Sequence, residues 1–130
     1  MKFSGRVTRG VGQGARFLAL EWVQRELQQK VGLTPFPGTL NLQVTPEIRD
    51  ALFGRRHSLL QIADASAPEC PGYLARTTLR AHGITLQSAY LILPEQTVHN
   101  NVIEIIAPVS LREALHIPDG EAVEVEIQMD

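Results

Sequence analysis

The chain is patterned for strands at both ends. From Val123 to Met129, apolar Val123, Val125, Ile127 and Met129 alternate with Glu124, Glu126 and Gln128. Period two is the mark of a strand with one wet face. Phe3, Gly5 and Val7 alternate in the same way with Ser4, Arg6 and Thr8, and Leu40, Leu42 and Val44 with Thr39, Asn41 and Gln43. Further strands are predicted over 57–63, 73–82, 84–93 and 102–107, the last (VIEIIA) apolar on both faces. The break at Ala81-His82-Gly83 reads as a hairpin turn. Six or seven short strands predict a mainly β fold, a barrel or a sandwich.

Helices interrupt the strands in three places. Leu20, Val23, Leu27 and Val31 fall at helical spacing, and Gly32 supplies a C-terminal stop. Thr45 followed by Pro46 is an N-cap with proline at the first helical position, opening EIRDALF. Ser110-Leu-Arg-Glu113 is a capping box, starting a short helix that the Pro118-Asp-Gly120 turn ends. The expected architecture is a barrel of about six strands with short decorating helices.

Composition narrows the class. The 130 residues, 44% apolar and 20% charged with a net charge of −2, predict one globular domain over 1–130 with a single core. No apolar run approaches the ~20 residues needed to span a bilayer, and the N-terminus lacks the apolar stretch of a secretory leader. One cysteine makes no internal disulfide, so a reducing, cytoplasmic setting is expected. Nor is the overall balance basic enough for a dedicated duplex-DNA binder. The balance is uneven, however. Residues 1–65 hold nine basic and five acidic side chains, net +4, while residues 66–130 hold three and nine, net −6. The basic half suits a phosphate-bearing ligand, or is simply unevenly distributed surface charge.

Three segments carry possible chemistry. Gly10-Val-Gly-Gln-Gly14 follows the first strand and precedes a helix, with Arg9 and Arg16 as flanking cations. Glycines at alternate positions let backbone N–H groups turn toward an anion, although a flexible connection needs the same residues. Next, Gly38 leads into a strand whose alternation sends Thr39 and Asn41 to one face, opposite Leu40 and Leu42. Two neutral oxygens so placed suit Mg²⁺, which keeps waters and substrate phosphates as its other ligands; an ordinary solvent-facing pair looks the same in sequence. Third, the helix opening at Ser110 offers unpaired N–H groups beside Arg112. Upstream of it, Glu104 is the only charge in VIEIIAP, and an acid in so apolar a strand needs a partner or a role. Cys70 and the scattered His57, His82, His99 and His116 show no zinc or nucleophile spacing.

Together and in this order, Gly10-Val-Gly-Gln-Gly14, then Pro35 through Gly38-Thr-Leu-Asn-Leu42, then Glu104-Ile-Ile-Ala-Pro108 with Leu111-Arg-Glu113, resemble the archaeal-type CTP-dependent riboflavin kinase family. The resemblance runs from about Phe3 to Gln128. It implies a cradle-loop β-barrel that moves the γ-phosphate of CTP to the 5′-hydroxyl of riboflavin, giving FMN and CDP with Mg²⁺. The added winged-helix DNA-binding domain often found in the family finds no room in 130 residues.

Carried over residue by residue, the resemblance assigns the nucleotide to Gly10, Val11, Gly12, Gln13, Gly14 and Ala15 and to Ser110, Leu111, Arg112 and Glu113. Mg²⁺ falls to Thr39 and Asn41, and the flavin to Thr97 and Glu104. Glu104 is the expected catalytic base, orienting the riboflavin hydroxyl and taking its proton. The expected partners are CTP and riboflavin, with no nucleic acid and no membrane, and the expected state is a monomer. Two other readings stay open. One is a non-catalytic barrel module of a dimeric transcription regulator; the other is a kinase of the same fold with another nucleotide or a flavin-like acceptor.

Overall fold

The computed structural model describes residues 1–9, 13–95 and 101–129. Among these residues, seven strands and four α-helices follow in the order β1 (Lys2–Thr8), α1 (Gln13–Leu18), α2 (Glu21–Val31), β2 (Leu40–Gln43), α3 (Pro46–Gly54), β3 (Leu60–Ile62), β4 (Gly72–Ala81), β5 (Ile84–Pro94), β6 (Val102–Ile106), α4 (Leu111–Leu115) and β7 (Ala122–Ile127). The sheet runs β3-β4-β5-β6-β2-β1-β7, and β4 pairs again with β7. That second pairing closes six antiparallel strands into a barrel, as the sequence predicts. One edge of β4 serves two neighbours: residues 72–74 pair with β3 and residues 77–80 with β7.

Strand alternation sorts the side chains into two cores. Val7, Leu42, Leu79, Leu91, Ile105 and Val125 point inward and fill the barrel. Outside it, Phe17, Trp22, Val23 and Leu27 of α1 and α2 pack on Ile62, Leu74, Ile92 and Ile106. This explains why VIEIIA is apolar on both faces. Ile103 and Ile105 face the barrel interior, while Ile106 lies under the helices. Glu104, two residues away, shares that outer face.

The local signals act as expected at most element ends. Thr45 Oγ1 accepts from the Ile48 N–H at 3.3 Å, with Pro46 opening α3. Gly32 closes α2 at φ 66°, donating to Gln28 O, and Leu33 N–H reaches Leu27 O. His82 and Gly83 both take positive φ, 52° and 73°, in the two-residue hairpin turn between β4 and β5.

Four expectations need correction. The predicted strand 57–63 is a 3₁₀ turn over Arg56–Ser58 followed by the three-residue β3. Arg56 reaches back to Phe53 O at 2.9 Å and across to Glu95, which turns the chain before it can extend. Leu20 does not join the buried stripe of α2. It is the N-cap residue and 44% exposed, and Trp22 takes the buried position instead. The six-residue α1 is an additional helix before α2. Finally, α4 ends at His116, in the left-handed conformation at φ 54°, ahead of the Pro118-Asp-Gly120 turn. No helix among the described residues is long and apolar enough to cross a membrane.

Candidate active site

Glu104 is the centre of the candidate site. Its strand pairs antiparallel with β2, and Asn41 is its direct cross-strand partner. Alternation puts Thr39 on the same face, two residues along. The Thr39 hydroxyl donates to Glu104 Oε1 at 2.7 Å. Helix α1 lies over this face, and the Gly14 backbone N–H donates to the same carboxylate. The approach is close: a β-carbon on residue 14 would stand 2.2 Å from Oε1 and 2.4 Å from Oε2. Only glycine lets the backbone come so near.

The electrostatics follow from burial. Desolvation under α1 pushes the Glu104 carboxyl above the usual carboxylate range, and the Thr39 hydroxyl, the Gly14 N–H and the Arg16 charge pull partly the other way. The result is a carboxylate more basic than an exposed one.

Asn41 supplies a second anomaly. Its Nδ2 donates to Thr39 O at 3.4 Å, while its Oδ1 is a buried acceptor without a hydrogen-bond partner among the described residues. An orphaned buried acceptor costs roughly 1–3 kcal/mol, so it calls for a donor or a cation. Two neutral oxygens, Thr39 Oγ1 and Asn41 Oδ1, beside a carboxylate form a hard donor set of the kind Mg²⁺ accepts. Among the described residues no three His, Cys, Asp or Glu side chains cluster to hold a metal on their own.

The α4 start is brought to the same region. A pocket of about 90 Å³ runs from Phe36, Gly38 and Thr39 to Ser110, Leu111 and Arg112. Ser110 Oγ caps the helix, accepting from the Glu113 N–H at 3.4 Å. Leu111 is buried in the barrel core. Arg112 donates to Asp119 at 2.6 Å and to Thr8 O at 3.3 Å, tying α4 to the end of β1. Arg9 also reaches Asp119, at 3.7 Å, so two cations meet at this carboxylate beside the end of β1. Ala15 is exposed on α1 and Gln13 begins that helix. Gly10, Val11, Gly12 and Thr97 lie outside the described residues.

Two larger concavities flank α1. Ala15, Leu18 and Ala19 line a groove of about 690 Å³ against α2 and residues 33–37. Arg16, Phe17 and Leu20, on the other side of the helix, line a pocket of about 410 Å³ with Trp22, Cys70 and Glu95. Sequence reasoning missed the network behind the second pocket. Arg56 grips Glu95 with two contacts, Nε to Oε2 at 2.8 Å and Nη2 to Oε1 at 3.4 Å, and stacks on Phe53 at 4.3 Å. The Arg56 hydrogen bond holds the Glu95 carboxyl below its usual range, and burial pushes the Tyr73 hydroxyl beside it up. The doublet Arg55-Arg56 was the one visible signal of this pair.

Comparison with known proteins agrees with the geometry. The family model CTP-dep_RFKase, described as domain of unknown function DUF120, matches residues 7–127. A riboflavin kinase of Pyrobaculum aerophilum is 39% identical over 136 residues, covering 98% of this chain and 60% of that protein. One from Pyrobaculum islandicum is 37% identical, covering 100% of this chain and 62% of its own length. One from Halobacterium salinarum is 32% identical, with 98% and 57% covered. The chain thus spans about 60% of the length of the curated relatives it matches.

Proposed function

This chain belongs to the CTP-dependent riboflavin kinase family, and from that premise we propose that it transfers the γ-phosphoryl group of CTP to the riboflavin 5′-hydroxyl. The products are FMN and CDP. The observation that carries the reading is the half-buried Glu104 carboxylate, held by Thr39 and Gly14 beside the metal-type oxygens.

Phosphoryl transfer asks a protein mostly for positioning and charge stabilisation. Glu104 accepts a hydrogen bond from the 5′-hydroxyl and takes its proton as the oxygen attacks the γ-phosphorus. The bond from that phosphorus to the β-phosphate oxygen breaks, and CDP leaves with the electron pair. Its raised pKa suits Glu104 to the task, because a base of ordinary carboxylate strength draws the hydroxyl proton less strongly. Arg9 and Arg112, joined through Asp119, give the phosphate side positive charge. Thr39 Oγ1 and Asn41 Oδ1 are the atoms that would hold Mg²⁺, which when bound supplies charge neutralisation to the triphosphate. The 410 Å³ pocket with Phe17 and Trp22 suits a flat aromatic acceptor.

FMN formation by wild type and Glu104→Gln tests this. A base contributes about 10²–10⁴-fold, so the variant should lose at least about 100-fold in kcat. A variant that retains most of kcat removes Glu104 from the base role. Wild type that forms no FMN with CTP, ATP, GTP or UTP, and is retained on DNA in a gel shift, would favour the regulator module instead.

A further inference from the structure

Two arginines share one aromatic ring, and among the described residues only one of them has an anion. Arg56 stands 4.3 Å from the centroid of Phe53, half-buried and paired with Glu95. Arg49 stands 4.8 Å from the same ring and is the more deeply buried, 8% exposed. Among the described residues its guanidinium meets no hydrogen-bond acceptor and no carboxylate, only the ring. A buried cation without a counter-charge is costly, and an arginine cannot relieve this by releasing its proton. Such a group is a ready receptor for an anion from outside the chain.

Helical spacing sets its place in the fold. Leu52 and Phe53 follow Arg49 by three and four residues, so the three share one face of α3. Leu52 anchors that face in the barrel core, and Arg49 lines a small cavity between α3 and the ends of β5 and β6. Glu104 lines the same cavity, and Pro94 lines both this cavity and the pocket of Phe17 and Trp22. Strand register fixes the direction. From Glu104, β6 runs one way to Ile106 and the Ser110 helix start, and the other way to Val102, opposite Gln43 and the entry to α3. Glu104 therefore lies between the α4 end of the site, with Arg112, and Arg49 at the opposite end. The cavity measures about 20 Å³, room for one water-sized group. A phosphoryl oxygen is of that size, and a flavin ring is not.

We propose that Arg49 receives the phosphate that the reaction places on the acceptor, so that the site binds FMN in preference to riboflavin. The inference rests on the phosphotransferase reading and adds a product-recognition residue to it. Riboflavin brings a neutral hydroxyl to Glu104, whereas after transfer the same oxygen carries a phosphate of about two negative charges. Glu104 has by then taken the hydroxyl proton and no longer repels that charge. The planar guanidinium matches phosphate oxygens, and its charge-assisted hydrogen bonds are about twice as strong as neutral ones. FMN is then held at the acceptor site and inhibits the enzyme that forms it.

The test measures riboflavin and FMN binding by flavin fluorescence, and FMN inhibition of the forward reaction, in wild type, Arg49→Lys and Arg49→Met. Wild type should bind FMN at least about tenfold more tightly than riboflavin, and Arg49→Met should erase that ratio. The inhibition constant of FMN should rise in step with its Kd. Arg49→Met should leave the Kd of riboflavin and KM for CTP unchanged, and Arg49→Lys should keep part of the FMN preference. Inorganic phosphate should weaken FMN binding to wild type and not to Arg49→Met. Methionine in place of an unpaired buried cation should hold the Tm at or above that of wild type. Equal affinity of wild type for the two flavins, or an equal loss of both in Arg49→Met, would overturn the phosphate seat. The second result is what a packing role, or a contact with a flavin carbonyl, would give. Wild type that prefers FMN through Arg49 but forms none from CTP, ATP, GTP or UTP sinks the transfer reading alone. Wild type that binds neither flavin overturns both.

Discussion

Gly14 seats the carboxylate of Glu104: a β-carbon at position 14 would stand 2.2 Å from Oε1, and the Gly14 N–H donates to the same group. The obstructed atoms are the far end of a flexible side chain, so Gly14→Ala can be accommodated by swinging the carboxylate away. Alanine also favours the helix over glycine by up to about 1 kcal/mol. The variant should therefore keep its Tm within a few degrees and lose about 100-fold in kcat. Kinetics and thermal melts on one preparation check this, and a large fall in Tm with kcat preserved would contradict it.

Burial raises the Glu104 pKa, and the sign of its effect on stability follows. Between the unfolded pKa and the raised folded value, the native state binds more protons than the unfolded state. Stability from this group is present below that window and falls as pH rises through it. Glu104→Gln should thus melt higher than wild type at neutral pH, and the difference should shrink on acidification. The acid limb of the kcat/KM profile should lie above that of an exposed carboxylate. Melts of both proteins from pH 4 to pH 8 decide the first point.

Asn41 Oδ1 is buried without a hydrogen-bond partner among the described residues. Removing it deletes an unmet acceptor, so Asn41→Ala without metal should lose less stability than a typical buried polar deletion. The metal-dependent gain should vanish: Mg²⁺ with CDP should raise the Tm of wild type and leave Asn41→Ala nearly unmoved. Chelation should stop FMN formation in wild type. Thr39→Ala should raise the Mg²⁺ requirement about tenfold. An unchanged Mg²⁺ dependence in both variants would remove these oxygens from the metal site.

Arg56 and Glu95 tie the 3₁₀ turn to the end of β5, at the rim of the pocket assigned to the acceptor. Arg56→Met should raise KM for riboflavin several-fold and leave KM for CTP alone. The Glu95 pKa is lowered, chiefly by Arg56. Its contribution to stability is present above the unfolded pKa and lost as pH falls through the folded value. The Tm gap between wild type and Arg56→Met should accordingly close in acid. A KM rise for CTP would place this network on the donor side.

Much of the site was legible in local pattern. Alternation put Thr39 and Asn41 on one face, and the lone charge in VIEIIAP marked Glu104. What pattern could not show was that β2 and β6 pair Asn41 with Glu104, or that Thr39 bonds a residue 65 positions away. Such pairings depend on barrel closure, which no window of ten residues contains. Leu20 misled because its spacing fits the apolar stripe of α2, while capping geometry leaves it outside.

The most direct measurement follows the phosphorus atom itself. Wild-type protein is incubated with riboflavin, Mg²⁺ and CTP labelled at the γ-phosphorus, and the products are separated. The account predicts label in FMN, with unlabelled CDP formed in equal amount. Label that stays in CTP, or appears as inorganic phosphate with riboflavin unchanged, would contradict it.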